Sequence, residues 1–306
     1  LGNKIIEEND IHAVFATAPP FTDFLVADAL AEKHGLGFVL DYRDLWVDNA
    51  YYFWATPFHK SYSIGLETSV LTHAKRAIVI NRYMKETMLR RYSILSHEDI
   101  SIIPHGYDSA DFAGKHNVRP SRDKFTLTHS GLFPDDLTPK YFFKALAKFL
   151  TKNPEAKHKL DARFVGIMRK GHLKYIKKYK LDENVTLKGY VPHNEAIENL
   201  LESDVLWFMI PNVIATPSRM YEYIGARKPM IVCAPEGNIR QTAMESGATI
   251  SCDPKNVNEI CTAIETFYNL WKTNRLPEPN EDYVNSFDRR NLTGLLAREL
   301  ALSANV

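Results

Sequence analysis

Short apolar runs alternate with longer amphipathic segments along the whole chain. In the first part, the apolar runs predict strands near Ala13–Thr17, Gly37–Asp41, Arg76–Ile80 and Ser101–Pro104. The segments between them predict helices near Thr22–His34, Ser61–His73 and Arg82–Arg91. This alternation is typical of a parallel sheet whose strands are joined by crossover helices.

A second series of the same kind follows a polar, charged stretch, Gly114–Lys124, which we interpret as a linker. Its strands are predicted near Phe125–Ser130, Ala162–Gly166, Val185–Gly189, Val205–Ile210, Met230–Ala234 and Thr249–Cys252. Its helices are predicted near Pro139–Thr151, His172–Lys180, Asn194–Leu201, Ser218–Arg227, Ile239–Ser246 and Val257–Lys272. A last helix is predicted from about Phe287 to Ser303.

The pattern predicts an α/β protein with two Rossmann-like, doubly wound domains that face each other across a cleft. We assign residues 1–115 to the first domain, 116–285 to the second, and 286–306 to a C-terminal helix that packs back toward the first. Six predicted strands complete the second domain, whereas four leave the first incomplete. Because the chain opens on Leu1, in what looks like the tail of a helix, and runs straight into a core strand, we expect upstream sequence to be missing.

Composition narrows the class of protein. The 306 residues are 45% hydrophobic and 25% charged, with a formal net charge of +1, which gives no general electrostatic case for binding to nucleic acid or to an anionic membrane. Three cysteines, Cys233, Cys252 and Cys261, lack metal-ligand spacing and fit reduced, buried thiols. No apolar run reaches the roughly 20 residues of a membrane span, and no signal peptide is visible. We therefore expect a cytoplasmic protein.

The segment Thr216–Gly225 lies between two strongly apolar runs, with Pro217 near its start and Gly225 at its end. It predicts a helix that begins at the carboxyl end of a strand, where open α/β sheets bind ligands. Hydroxyl groups, backbone N–H groups and Arg219 suit a phosphate there, and Glu222 could accept hydrogen bonds from a sugar. The segment therefore indicates a nucleotide-diphosphate site. Ordinary helix capping, with purely structural roles for both side chains, is the alternative.

Other strand ends carry weaker signals. Gly131 follows the first strand of the second series, where a glycine lets the backbone approach a phosphate, although tight turns often need a glycine anyway. Arg169 and Lys170 follow the next strand and could be either ligand-binding or solvated surface residues.

Two candidates lie at strand ends in the first series. Asp41 and Asp44 bracket Arg43, so an Asp–Arg pair could simply fix the loop, or Asp44 could face the cleft and bind the hydroxyls of an acceptor. His105 follows the last strand of that series, and a lone histidine is more often structural than catalytic.

These segments together resemble glycosyltransferase family 4 (group 1), whose members have the GT-B fold. Thr17–Phe21 is similar to the family's T-x-P-P turn, and Asp41–Trp46 to its D-x-R-D-x-W segment. Ile103–Asp108 is similar to the I-P-N-G-x-D segment that ends the N-terminal domain. Ser218–Tyr223, with the later Lys-Pro pair, is similar to the K-x-x-E-Y helix that grips the donor.

The resemblance implies a nucleotide-sugar donor on the C-terminal domain, an acceptor on the N-terminal domain, and transfer without a metal or another cofactor. Glu222 would take the position of the family's ribose-binding carboxylate. The diphosphate would lie by Thr216, Ser218 and Arg219, with Gly131 in the donor-side turn, and the base by Lys188, Gly189 and Tyr190. Asp44 and His105 are the candidate catalytic residues.

The chain departs from the family pattern at three places. Ile214 stands where the first glutamate of the E-x7-E pair would be, which we interpret as the mark of a branch. Leu132 and Leu137 stand where members often carry Arg and Lys, so Arg219, Arg169 or Lys170 must supply a cation. The glycine-rich loop and histidine of the N-terminal domain are expected upstream of Leu1.

The sequence therefore predicts a transferase that moves a sugar from a nucleotide diphosphate to a saccharide or lipid-linked acceptor. We expect a retaining, metal-independent enzyme of bacterial surface polysaccharide or glycolipid synthesis, active in its full-length form. Association with the inner face of the cell membrane stays open, although the basic segment Lys85–Arg91 fits a solvated helix face better than a membrane contact. The alternatives are a GT-B nucleotide-sugar epimerase and a non-catalytic GT-B protein that binds a nucleotide or a partner.

Overall fold

The structure, a computed structural model, describes residues 1–49, 52–115, 118, 120–121, 123–133, 137–213 and 216–304. The chain divides into two compact units. The first unit combines Leu1–His105 with Arg290–Val306, and the second is Gly106–Arg289. The sequence predicts domain boundaries after residues 115 and 285, and these boundaries stay a prediction. In the structure, the chain passes from one compact unit to the other after residues 105 and 289.

The first unit is built on a parallel sheet with the strand order β1-β2-β3-β4. Its strands are β1 (Ala13–Ala18), β2 (Gly37–Tyr42), β3 (Arg76–Val79) and β4 (Ile100–Ile102). Its helices are α1 (Gly2–Glu8), α2 (Thr22–His34), α3 (Pro57–His73), α4 (Arg82–Arg91) and, from the end of the chain, α12 (Arg289–Ser303). The strands lie side by side in chain order. This is the arrangement of one half of a doubly wound domain, in which the strand order reverses between the two halves.

Both faces of this sheet are covered. All six residues of β2 are buried, as expected for a central parallel strand. Phe24 of α2 and Val70 of α3 belong to the core cluster on one side. On the other side, Leu292 of α12 packs with Val39 and Ile78. The last helix of the chain therefore completes the core of the first unit.

Helix α3 begins earlier than the pattern predicts. The predicted start is Ser61, whereas the helix runs from Pro57, because Thr56 accepts a hydrogen bond from the His59 N–H group (3.3 Å). A threonine before the helix and a proline at its first position are a standard start signal. The apolar pattern missed it because the exposed first turn carries no core residue.

The second unit has a parallel sheet of six strands with the order β10-β9-β8-β5-β6-β7. Its strands are β5 (Phe125–Ser130), β6 (Leu160–Val165), β7 (Val185–Gly189), β8 (Val205–Met209), β9 (Met230–Cys233) and β10 (Thr249–Cys252). Its helices are α5 (Lys140–Lys152), α6 (Lys170–Lys178), α7 (His193–Leu201), α8 (Arg219–Gly225), α9 (Asn238–Met244), α10 (Val257–Lys272) and α11 (Glu281–Asn285). The strand order reverses between β5 and β8, which makes their carboxyl ends a topological switch point.

The predicted strands and helices are confirmed, with ends that differ by a few residues; the short helix α11 was not predicted. The three cysteines are free and buried, as predicted. Among the helices of the described ranges, none is both long enough and apolar enough to cross a bilayer.

Candidate functional site

Two glycines form close-packed turns at the carboxyl edge of the second sheet. Gly131 follows β5 and Gly166 follows β6, with φ angles of +143° and +122° that residues with a side chain rarely adopt. The Gly131 N–H group donates to the Val165 carbonyl (2.7 Å), and the Gly166 N–H group donates to the Gly189 carbonyl (2.7 Å). A side chain on Gly166 would come within 2.7 Å of the Gly131 oxygen. Backbone hydrogen bonds therefore connect the ends of β5, β6 and β7 at this edge.

The guanidinium group of Arg219 lies against Gly131. A methyl group built on Gly131 would collide with the Arg219 Nη1 atom. Arg219 is the first residue of α8, which follows β8, so its side chain reaches across the switch point to the turn after β5. The neighbouring Leu132 is 55% exposed and carries no charge. The structure therefore brings together two predicted donor-site residues and puts a cation beside the strand-end glycine.

Tyr223 fixes α8 to the same strand end. Its buried hydroxyl group accepts a hydrogen bond from the Ser130 N–H group (2.6 Å) and donates one to the Ser130 carbonyl (3.2 Å). Ser130 directly precedes Gly131, so this double contact sets the distance between α8 and the Gly131 turn. The motif contains this tyrosine, but sequence reasoning assigned no role to it.

His129, one residue before Ser130, stays neutral beneath the turn. Complete burial lowers its pKa to about 3, and the positive charge of Arg219 acts in the same direction. Its Nδ1–H group donates to the Trp207 carbonyl (3.0 Å), and its ring stacks on Phe133 at a centroid distance of 4.5 Å. The positive charge at this strand end therefore belongs to Arg219.

Glu222 lies one turn of α8 beyond Arg219 and remains partly exposed. The Nε2 atom of His193 is 3.2 Å from the Glu222 Oε1 atom, and the Nδ1 atom of the same ring is 3.8 Å from the Asp111 Oδ1 atom. His193 begins α7, directly after the turn at the end of β7. Sequence reasoning missed His193, although a histidine at the start of a helix on the ligand-binding edge was a usable signal.

The other predicted donor-site residues of β6 and β7 lie at the same edge. Arg169 precedes α6 and Lys170 is its first residue. Gly189 ends β7 with a φ angle of +68°, and the side chain of Tyr190 beyond it is 80% exposed. The carboxyl edge that carries the Gly131 turn therefore also carries basic groups and an aromatic ring, after β6 and β7.

Thr216 and Ser218 precede α8, and Ser218 occupies the position before its first residue without a capping hydrogen bond from its side chain. The helix has only seven residues, so the dipole expected for a longer helix is weak here. At this point the Arg219 side chain is therefore a stronger source of positive charge than the helix end.

In the first unit, the loop after β2 is held by charge pairs. The Nε–H group of Arg43 donates to Asp41 (2.7 Å), and Thr17 donates to the same carboxylate oxygen (2.8 Å). The interpretation of the Asp41–Arg43 pair as a loop-fixing contact is confirmed. Asp44 is exposed next to it, and partial desolvation raises the pKa of its carboxyl group. The catalytic role of Asp44 stays a prediction.

His105 is partly buried and lies just beyond β4, at the same carboxyl edge of the first sheet as Asp44. It is the last residue of Leu1–His105, the first of the two segments that form this unit. Its catalytic role also stays a prediction. Asp44 and His105 both belong to the first compact unit, whereas every predicted donor-binding residue belongs to the second.

A buried carboxylate holds the loop that carries Asp44. Glu67 of α3 accepts hydrogen bonds from the Val47 N–H group (3.1 Å) and from the Tyr92 hydroxyl (2.6 Å). Burial raises the pKa of Glu67 to about 7, and these hydrogen bonds only partly offset the increase. Asp48 adds an ion pair with Arg91. The loop is therefore fixed on both sides of Asp44.

Three interpretations from the sequence fall wholly or partly outside the described residues. Two of them concern the missing carboxylate at Ile214 and part of the linker Gly114–Lys124. The third is that the pair Asp135-Asp136, which follows Pro134 in a predicted surface turn, is not a metal site.

No protein-family model matches the chain, and no curated protein sequence matches it. Solved structures do. A glycosyltransferase from Rickettsia africae is 16% identical, with a TM-score of 0.71 over 99% of this chain and 80% of that one. Anabaena Alr3699/HepE, solved in complex with UDP, is 14% identical, with a TM-score of 0.67 over 98% of this chain and 80% of that one.

A protein from Listeria monocytogenes, assigned as a UDP-N-acetylglucosamine 2-epimerase, is also similar. It is 12% identical, with a TM-score of 0.59 over 97% of this chain and 77% of that one. The chain therefore has the GT-B fold of the glycosyltransferases, as its motifs predict. Membership of family 4 stays a prediction.

Proposed function

We propose that this protein is a glycosyltransferase that takes its sugar from a nucleotide diphosphate. The observation that carries the proposal is the contact between Arg219 and Gly131 at the switch point of the second sheet. A positive side chain over a glycine turn, with the Glu222 carboxylate one helical turn away, offers separate contacts for a diphosphate and for sugar hydroxyls.

The chemistry of the donor explains why Arg219 matters. When the bond to the sugar breaks, negative charge builds up on the departing diphosphate, and a fixed cation stabilises it. Leu132 cannot supply that cation, because its side chain is apolar. Because the Arg219 guanidinium group lies against the Gly131 turn, it is close to the place where this charge would develop.

The finer parts of the proposal follow the family resemblance. The acceptor would be a saccharide or a lipid-linked saccharide bound by the first unit, with Asp44 and His105 as catalytic candidates. We propose transfer with retention, without a metal or another cofactor, in bacterial surface polysaccharide or glycolipid synthesis. A cytoplasmic location at the inner face of the membrane belongs to the same proposal.

Calorimetry with UDP tests the donor site. We expect Arg219→Ala and Glu222→Ala each to weaken UDP binding by about ten- to a hundredfold, the usual effect of losing a hydrogen bond to a charged group. Arg275→Ala and Glu278→Ala are matched controls, since both side chains are exposed beyond α10, at the opposite edge of the sheet. Unchanged UDP affinity in both site variants would refute the assignment.

The second candidate is a nucleotide-sugar epimerase, which the similarity to the Listeria protein favours. Product analysis separates the two activities. A transferase produces a free nucleotide diphosphate and a longer acceptor, whereas an epimerase converts the donor without any acceptor. Binding of the nucleotide sugar with neither product would instead support the non-catalytic alternative.

A further inference from the structure

A cavity of about 370 Å³ opens in the second unit at the amino edge of the sheet, opposite the edge of the candidate donor site. We call it the amino-edge cavity. Asp204, which directly precedes β8, and Pro229, which directly precedes β9, belong to its lining, together with Trp271 from the last turn of α10. Because β8 has five residues, the cavity lies roughly 15 Å from the candidate donor site and is separate from it.

The ring of Trp271 is held in place by the core of the second unit. It stacks on the buried ring of Tyr268 at a centroid distance of 5.7 Å and packs against Phe125 at 5.8 Å. A second cavity, of about 410 Å³, also has Trp271 and Asn274 in its lining. The indole ring is therefore an apolar surface of fixed position that borders both cavities.

The charged side chains that line the amino-edge cavity balance each other. Among the described residues they are two acidic groups, Asp204 and Glu278, and two basic groups, Arg227 and Lys228. Burial raises the pKa of Asp204 to about 6, so its carboxylate is mainly a hydrogen-bond acceptor at neutral pH. The Asn274 amide can both donate and accept. The lining therefore offers donors and acceptors side by side, without the net charge that would favour an ionic ligand.

Two of these polar side chains stand where glycine is usual. Arg227 comes just after α8 and Asn274 just after α10, and both have positive φ angles, of +56° and +54°. A helix commonly ends on a glycine in this conformation, because a side chain is strained there, and an arginine is uncommon. The Nη2 atom of Arg227 also donates to Asn285 (2.7 Å). Both backbone positions therefore place a polar side chain at the same cavity.

We infer that the amino-edge cavity binds an uncharged saccharide, whose ring packs on Trp271 and whose hydroxyl groups bond to Asp204 and Asn274. A pyranose has apolar C–H groups on its faces and hydroxyl groups around its rim that both donate and accept, so it matches an aromatic surface surrounded by mixed polar side chains. The volume of about 370 Å³ is at the small end of the range for ligand cavities, roughly 300–1,000 Å³, and suits a small saccharide. The use of the site, which rests on the proposed function, is to hold a saccharide acceptor or product on the second unit.

Saturation-transfer NMR on the 306-residue chain tests this inference. The probes are glucose, galactose and N-acetylglucosamine, with the disaccharides maltose, lactose and chitobiose, each at millimolar concentration. We expect saturation transfer to at least one of these sugars, strongest at the C–H protons of the ring face that packs on Trp271. Tighter binding of a disaccharide than of its monosaccharide would indicate that the ligand is part of a saccharide chain, and equal affinity that it is a free sugar.

Two variants remove parts of the site. Asn274→Gly keeps the positive φ angle and removes the amide, so it should weaken sugar binding by about five- to tenfold. Trp271→Leu should weaken it by about tenfold or more, because the aromatic surface is lost. Asn274 is exposed, so its variant tests the site even where Trp271→Leu disturbs folding, which thermal unfolding measures. Arg275→Ala is the matched control, since Arg275 is exposed next to Asn274 and should leave sugar binding unchanged.

UDP calorimetry separates this site from the donor site. UDP affinity should not change in Asn274→Gly, and sugar binding should not change in Arg219→Ala, so the failure of one site leaves the other intact. Sugar signals that UDP displaces would place the sugar in the donor site and overturn the inference. Lack of saturation transfer to any probe, or unchanged sugar binding in Asn274→Gly, would also overturn it. Tighter and salt-sensitive binding of glucose 6-phosphate than of glucose would instead assign the cavity to an anion.

Discussion

The Arg219 guanidinium group packs against the α-carbon of Gly131, so that a positive charge from α8 covers the turn after β5. The two residues come from segments that neighbour each other only because β5 pairs with β8. The contact is possible because Gly131 has no side chain and adopts a φ angle of +143°. The contact therefore leads to a direct prediction for a substitution at Gly131.

We expect Gly131→Ala to weaken UDP binding and to destabilise the protein by about 1–3 kcal/mol, the usual cost of a side chain in a strained backbone region. The new methyl group would also displace the Arg219 side chain. Thermal unfolding and UDP calorimetry measure the two effects.

Gly65→Ala is the control for that substitution. Gly65 lies inside α3 with no atom near its missing side chain, so alanine should stabilise the helix by about 0.5–1 kcal/mol. UDP affinity should be unchanged. A Gly131→Ala variant as stable as Gly65→Ala would contradict the close contact.

Removing the Tyr223 hydroxyl tests the attachment of α8. Tyr223→Phe should lower the free energy of unfolding by about 1–3 kcal/mol, because the buried Ser130 N–H group loses its acceptor. UDP binding should weaken as α8 loosens. Tyr62→Phe, at an exposed position, should leave stability unchanged in the same denaturant titration, and equal stability of the two variants would contradict the prediction.

Stability should depend on pH through Glu67. Its pKa rises from 4.5 to about 7 on folding, so the folded protein holds the proton more tightly than the unfolded chain. The resulting stabilisation is complete below pH 4.5 and is lost as pH rises to about 7, by about 3 kcal/mol in total.

Glu67→Gln should flatten this dependence, because the amide stays neutral and can still accept from the Val47 N–H group and the Tyr92 hydroxyl. Denaturant titrations across the window measure the slope. Glu32→Gln, at an exposed site on α2, should keep the slope of the unchanged protein. A slope that survives in Glu67→Gln would show that another group titrates.

His193 should orient Glu222. We expect His193→Ala to weaken UDP binding by about two- to fivefold, the modest effect of an exposed contact. His193→Gln should restore part of the affinity, since its amide can donate to the same carboxylate. The control His34→Ala removes a half-buried histidine of α2 in the first unit, whose ring contacts Asn3, and should leave UDP affinity unchanged. Unaltered UDP affinity in His193→Ala would show that this ring does not orient Glu222.

The placement of some candidate residues could be predicted. Gly131 and Arg219 lie at the carboxyl edge of the sheet, as the alternation of strands and helices predicts, and so does Gly189, which the family resemblance pointed to. Their role in donor binding stays a prediction. His193 and Tyr223 were not given roles. Their partners, Glu222 and Ser130, lie in other parts of the chain, and no local pattern shows which distant backbone a side chain will meet.

The sequence by itself determined the elements, because the period of apolar residues decides which segments become strands and helices. The GT-B class of fold was predicted from the resemblance of its motifs to those of a known family. Strand order, the reach of Arg219 to Gly131, and the exposure of Phe53 in contrast to the burial of Phe21 were decided only by the tertiary structure. Those features depend on how whole elements pack, and an apolar residue reads the same in the sequence whether packing buries it or leaves it at the surface.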